Sequence, residues 1–262
     1  WRPGRAKKVA AFLDHVLCLL PFEPPYFEKE GLPATFVGHP VVETDISSAD
    51  GQAFRRRHKI EPETPLLMVL PGSRCGEVER LLGVFGQTVA RLAPQFEGLS
   101  VVIPTVAHVE ARVKDLTASW DVPVSVVLGS EKDEAFMAAN VALAASGTVA
   151  LELAMAGLPN VIAYRFNAIT WAIAKQMIKT PFANLINIIL GQEAIPEFIQ
   201  GECTSENLSR EIARLFDDEG ARIAQRAAAQ QALKQLGLGG PLPGEIAASV
   251  VLGLLNKETL NA

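Results

Sequence analysis

The chain has 262 residues, of which 49 % are hydrophobic, 20 % charged and 6 % aromatic, and its formal net charge is −5. Such a composition describes a globular protein with material for one large domain or two modest ones, and the acidic balance excludes a general nucleic-acid binder. Cys18, Cys75 and Cys203 are few and scattered, which excludes a disulfide framework and suits a reducing cytosol.

The chain opens on Trp1, without Met, and the basic stretch WRPGRAKK runs directly into helix and then strand. A natural domain rarely begins in mid-element, so we read this as a chain lacking its N-terminal part. WRPGRAKK suits either an anionic lipid or phosphorylated substrate, or simply a solvated helix start. Strand-like runs HVLCLL (15–20) and ATFVGH (34–39) lead into GHPVVETDISSAD (38–50), a linker that places a boundary near residue 43. His39 in that linker is read as the cap of its turn.

Beyond the linker, the runs PLLMVLP (65–71), LSVVIPTV (99–106), VSVVLG (124–129), NVALAAS (140–146) and NVIAY (160–164) read as strands. Helical stretches lie between them: EVERLLGVFGQTVARLA (77–93), HVEARVKDLTASW (108–120), EKDEAFMAA (131–139) and one opening at Thr148. Alternating strand and helix predict an α/β protein with a doubly wound parallel sheet. After Tyr164 the strands are expected to stop. Helices are predicted at 166–180, 206–216, 221–236 and 244–258. The first of these carries Trp171, Lys175 and Lys179 and suits a membrane surface less well than core packing with snorkelling lysines.

From Val141 to Ala163 the chain is apolar over a transmembrane length, with Glu152 its one charge. Ser146, Gly147 and Thr148 punctuate one end, and Gly157 with Pro159 ends the helix, so strand, helix, strand is the better reading. If Gly147 or Thr148 caps this helix, Thr148 and Glu152 share a face at i, i+4. Free N–H groups and a hydroxyl at the helix start suit a phosphate, and the carboxylate suits sugar hydroxyls. An ordinary N-cap would have the same sequence. In LPGSRCGEV, Gly72 and Ser73 turn the chain after a strand and Arg74 follows, a side chain suited to bidentate phosphate capture. Ligands of doubly wound sheets bind at strand carboxyl ends. Both motifs lie there, and together they predict a diphosphate site. No cluster has metal-ligand spacing, and no G-x-S-x-G elbow supports a serine hydrolase.

WRPGRAKK, LLPFEPPYFE, FVGHP, LPGSRCGEVERLL, AASGTVALELAMAGLP, VIAYR and NLINIILG with PEFIQGECT together resemble the lipid-A-disaccharide synthases, in order, from Trp1 to about Leu215. The resemblance implies a GT-B glycosyltransferase with two Rossmann-like domains. It implies inverting, metal-independent transfer of 2,3-diacylglucosamine from UDP to 2,3-diacylglucosamine 1-phosphate, without a cofactor. Arg74 is then expected to stabilise the leaving UDP. Ser146, Gly147 and Thr148 give their N–H and hydroxyl groups to the diphosphate, Gly72 and Ser73 are counted with the UDP-binding residues, Glu152 holds the ribose, and Asn187 lies near the nucleotide. The family's N-terminal Gly-rich loop and a later Asp-containing strand end are not found here, so the general base is assigned to no residue.

The implied organisation is residues 1–43 as the end of the acceptor domain, 44–230 as the UDP-sugar domain, and 231–262 as helices crossing back. Ile246, Val250, Val251, Leu254 and Leu255 are expected to need cover, from residues 1–43 or from a second chain in a homodimer. The implied setting is the cytoplasmic face of the inner membrane of a Gram-negative bacterium, as a peripheral protein. Two other readings stay open: a nucleotide-binding piece without activity, and another UDP-sugar GT-B enzyme such as an epimerase.

Overall fold

The structure, a computed structural model, describes residues 4–167 and 181–260. The expected Trp171 helix with Lys175 and Lys179 lies outside the described residues.

A small N-terminal unit comes first: α1 (Gly4–Val9), β1 (Val16–Cys18), α2 (Pro24–Glu28) and β2 (Ala34–Phe36). Its two strands pair in parallel, Leu17 beside Thr35. The linker then makes a 3-10 turn at Pro40–Glu43, where His39 Nδ1 accepts the Val41 N–H at 3.1 Å. Burial holds the His39 imidazole below its usual pKa, so it stays neutral and can accept.

α3 (Gly51–Arg57) opens the larger unit, with Asp50 as its N-cap, accepting the Ala53 N–H at 2.9 Å. There follow β3 (Leu66–Leu70), α4 (Cys75–Leu92), β4 (Ser100–Thr105), α5 (Ala107–Thr117), β5 (Val124–Leu128), α6 (Lys132–Ala138), β6 (Val141–Ala145), α7 (Val149–Met155) and β7 (Asn160–Tyr164). α8 (Leu185–Leu190), β8 (Glu197–Ile199), α9 (Ser205–Asp217), α10 (Glu219–Gln235) and α11 (Pro243–Leu260) complete the described chain.

Six parallel strands form one sheet in the order β5-β4-β3-β6-β7-β8. The central strands are buried on both faces, which is why their sequences are unbroken apolar runs rather than alternating ones. Leu66, Met68 and Leu70 pack with Ala150, Leu153, Ile186, Ala229 and Leu233 on one face. Leu67 and Val69 pack with Val78, Leu81, Phe85, Val109 and Leu208 on the other. In α4 the buried positions Val78, Leu82, Phe85, Val89 and Leu92 recur every three or four residues, and each contributes about 1.5–3 kcal/mol on burial.

The doubly wound expectation holds, with one correction: strands do not stop at Tyr164. β8 pairs with β7, Ala163 beside Phe198. Three residues after Pro196, at a sheet edge, carry no periodicity that a sequence could reveal. α2 and α8, of five and six residues, are also too short for a helical period to register.

Arg55 is the one buried member of the Arg55–Arg56–Arg57 run, 4 % exposed. Its guanidinium donates to the carbonyls of Ala138, Glu61 and Thr64 at 2.8–3.0 Å and to Asn140 Oδ1 at 3.1 Å, tying α3 to the ends of α6 and β3. α11 starts against the linker, where Gly244 N–H donates to Glu43 Oε1 at 2.7 Å. Ile246 and Val250 are half-buried there, whereas Val251, Leu252, Leu254 and Leu255 are exposed. No helix among the described residues is long and apolar enough to cross a membrane.

Candidate functional site

β3 and β6 are neighbours from which the sheet winds outward in opposite directions, so their carboxyl ends form the topological switch point where such folds hold ligands. A cavity of about 530 Å³ opens there. The segments Gly72–Arg74 and Ser146–Val149 face each other across it, with Glu77, Thr105, Lys132 and Glu152 in its walls.

The first wall turns on Gly72, whose φ of +108° suits glycine alone. A Cβ there would meet Glu77 Oε2 at 2.5 Å. Arg74 takes the N-cap position of α4 with extended backbone, so its side chain leaves the helix toward the rim and is 79 % exposed. Glu77, on the first turn of α4 and only 15 % exposed, accepts from Arg74 Nη1 at 2.9 Å. Tyr164, at the end of β7, lies near enough to feel both charges. Burial chiefly, and then Glu77, push its phenol pKa up, so it stays protonated.

The second wall follows β6. Thr148 is the N-cap of α7 but makes no capping bond with its side chain, so its hydroxyl stands at the rim. Ala150 and Leu151 N–H groups close back on the carbonyls of Gly147 and Thr148, and those of Gly147, Thr148 and Val149 have no partner among the described residues. α7 is seven residues long, so these N–H groups rather than a large dipole make the wall attractive to an anion. Ser146 Oγ is already engaged, donating to Ala183 O at 3.1 Å. Glu152 Oε1 is 2.9 Å from Lys132 Nζ, both about one-third exposed.

Two cations and two carboxylates thus ring the cavity as matched pairs. An anion that engages Arg74 or Lys132 competes for it with Glu77 or Glu152. Exposed pairs of this kind are worth about 0–1 kcal/mol each, so the exchange is cheap.

Gly72, Ser73, Arg74, Ser146, Gly147, Thr148 and Glu152 all line this one cavity. Asn187 does not. It is fully buried, its amide donating to Ile195 O at 2.7 Å and Glu197 Oε1 at 2.9 Å, its oxygen accepting from Ala194 and Ile195 N–H. It turns inward from α8 and organises the chain behind Ser146.

Three wall residues escaped sequence reasoning. Glu77 and Lys132 sit in ordinary charged helix starts with no signal of their own. Thr105 had one, since it ends β4 as Arg74 follows β3; it is 6 % exposed and its hydroxyl has no partner among the described residues.

A cavity of equal volume opens near the amino ends of β3 and β6, beside Arg222 and Arg226. Both guanidinium groups there already donate to carbonyls, Arg222 to Leu215 and Phe216 and Arg226 to Gly157. No group of three or more metal-ligating side chains occurs among the described residues.

The sequence pattern of the lipid-A-disaccharide synthetase family matches residues 1–240. A lipid-A-disaccharide synthase of Rhodospirillum centenum is 48 % identical over 261 residues, 99 % of this chain and 65 % of the relative. One from Paramagnetospirillum magneticum is 47 % identical, covering 98 % of this chain and 66 % of the relative. This chain therefore spans just under two thirds of the length of these relatives. Among solved structures, the Staphylococcus aureus MnaA–UDP complex superposes with a TM-score of 0.66 over 95 % of this chain and 62 % of that one, at 12 % identity. WaaG, a glycosyltransferase involved in lipopolysaccharide biosynthesis, gives 0.52 over 90 % and 62 %, at 19 % identity. At such identities the likeness is one of fold, the GT-B type.

Proposed function

Because the chain belongs to the lipid-A-disaccharide synthetase family, we propose that it is the UDP-sugar-binding part of a glycosyltransferase that builds the lipid A disaccharide. The donor is UDP-2,3-diacylglucosamine and the acceptor 2,3-diacylglucosamine 1-phosphate, at the cytoplasmic face of the inner membrane. The acceptor 6-hydroxyl oxygen bonds to the donor's anomeric carbon as the bond to the β-phosphate oxygen breaks, and a base outside our assignment takes the hydroxyl proton. Charge then gathers on the departing UDP. Arg74, the N–H groups of Gly147, Thr148 and Val149, and the Thr148 hydroxyl serve that charge, and Lys132 joins them once released by Glu152. Glu152 turns to the ribose hydroxyls, and Gly72 and Ser73 line the same nucleotide site from the opposite wall. Residues 44–230 form the nucleotide domain, and residues 1–43 with 231–262 belong to its junction with the acceptor side.

One observation carries this reading: Arg74, the 147–149 amides and Glu152 share one cavity at the switch point of the sheet. Chromatographic detection of disaccharide and UDP, after incubating the chain with both substrates, tests it. A second reading, nucleotide binding without transfer, is favoured by the chain's span of 65 % of its relative's length. Calorimetric binding of UDP with no disaccharide formed would select it. No binding of UDP at all would refute both.

A further inference from the structure

The hydrogen of the Ser146 hydroxyl is committed. Its partner, Ala183 O, can only accept, so the hydrogen lies along that 3.1 Å bond and the oxygen offers lone pairs to the cavity it lines. Lone pairs repel a phosphate oxygen and attract an O–H or N–H.

The carbonyl is held in that direction by its own peptide group. Asn184 N–H belongs to the same planar unit as Ala183 C=O, and in a trans peptide the two point opposite ways. Asn184 N–H donates to Glu197 Oε2 at 2.9 Å, and Ala183 N–H reaches the same oxygen at 2.8 Å. With the N–H side pinned to Glu197, the carbonyl side is aimed at Ser146. Glu197 is fixed in turn: it lies on β8, and its Oε1 accepts from Asn187 Nδ2 at 2.9 Å. Asn187 has no freedom, being fully buried with its amide held at both ends. A chain of fixed groups thus runs from the interior to the rim, and its output is the polarity of one hydroxyl.

We propose that Ser146 is a hydrogen-bond acceptor for a sugar hydroxyl or amide N–H of the nucleotide sugar, rather than a phosphate contact, with Glu197 and Asn187 as the positioning residues that set its polarity. This rests on the cavity being the UDP-sugar site. It divides the second wall by chemistry: the 147–149 amides face the diphosphate, and Ser146 faces a donor group beside it.

The test titrates the 262-residue chain calorimetrically with UDP-N-acetylglucosamine, UDP and inorganic pyrophosphate. Ser146→Ala is expected to weaken the nucleotide sugar about tenfold and to leave pyrophosphate within about twofold. A loss shared by UDP places the donor group on the nucleoside; a loss confined to the sugar nucleotide places it on the transferred sugar. Either supports the proposal. Equal loss for all three ligands, or no loss for any, overturns it while leaving the cavity reading intact. Failure of the parent chain to bind any of the three overturns both.

Glu197→Ala removes both acceptor oxygens and frees the Ala183 peptide. It is expected to reproduce the ligand-selective loss of Ser146→Ala, and the double variant to lose no more than either single one. Glu197→Asp, retaining the charge on a shorter arm, serves the same comparison if the alanine variant melts early. Additive losses, or an equal effect on pyrophosphate, would show Glu197 to be structural only.

Discussion

Glu77→Gln should strengthen nucleotide binding, although it removes no clash and adds no contact to the ligand. Glu77 now occupies Arg74 at 2.9 Å, on a side chain that is otherwise 79 % exposed. Releasing an exposed pair yields about 0–1 kcal/mol. Removing a carboxylate from beside a diphosphate, in a solvent-screened cavity, yields about 0.5–1 kcal/mol more. Together these give about 0.5–2 kcal/mol, so UDP should bind about two- to thirtyfold more tightly. Arg74→Ala should weaken UDP by about ten- to a hundredfold, the value of one charged hydrogen bond. In that background Glu77→Gln retains only the repulsion, and its gain should shrink to about two- to fivefold. Calorimetry of the parent chain, both single variants and the double variant reads all four values. Unchanged or weaker binding by Glu77→Gln, at unchanged melting temperature, would refute the competition between carboxylate and phosphate for Arg74.

Three further outcomes follow from the described contacts. Arg55→Ala should lower unfolding free energy by about 3 kcal/mol or more in urea titration, and Arg55→Lys should restore little, since one ammonium cannot span acceptors on Ala138, Glu61 and Thr64. Gly72→Ala should cost about 1–3 kcal/mol in the same assay and weaken UDP as well, because a φ of +108° and a 2.5 Å approach to Glu77 both oppose a Cβ. Mass spectrometry after iodoacetamide treatment at mildly alkaline pH should find Cys75 modified in the folded chain and Cys18 and Cys203 protected. Burial, and then Glu23 and Glu28, raise the Cys18 pKa to about 11, so its reactive thiolate is scarce until the chain unfolds or the pH approaches that value.

Much of the frame was legible because buried parallel strands are long apolar runs, and β3, β4, β6 and β7 each announce themselves that way. β8 was not, since three edge residues have no period. The rule placing ligands at strand carboxyl ends singles out Arg74 and the 146–152 segment from the sequence alone. What it could not reveal was pairing. That Arg74 is held by Glu77, or Glu152 by Lys132, depends on helix starts that meet only in space. Among Arg55, Arg56 and Arg57, only the packing of α3 decides which is buried. Asn187 was legible as a motif residue, yet its direction was not: α8 turns it inward, where it acts on Glu197.

The central claim is that the cavity between the ends of β3 and β6 holds UDP. Amide chemical-shift mapping of the isotopically labelled chain during UDP titration tests it most directly. The largest shifts should fall on Gly72, Ser73, Arg74, Gly147, Thr148 and Val149, saturating together. Shifts gathered instead around Arg222 and Arg226, at the opposite end of the sheet, would contradict it.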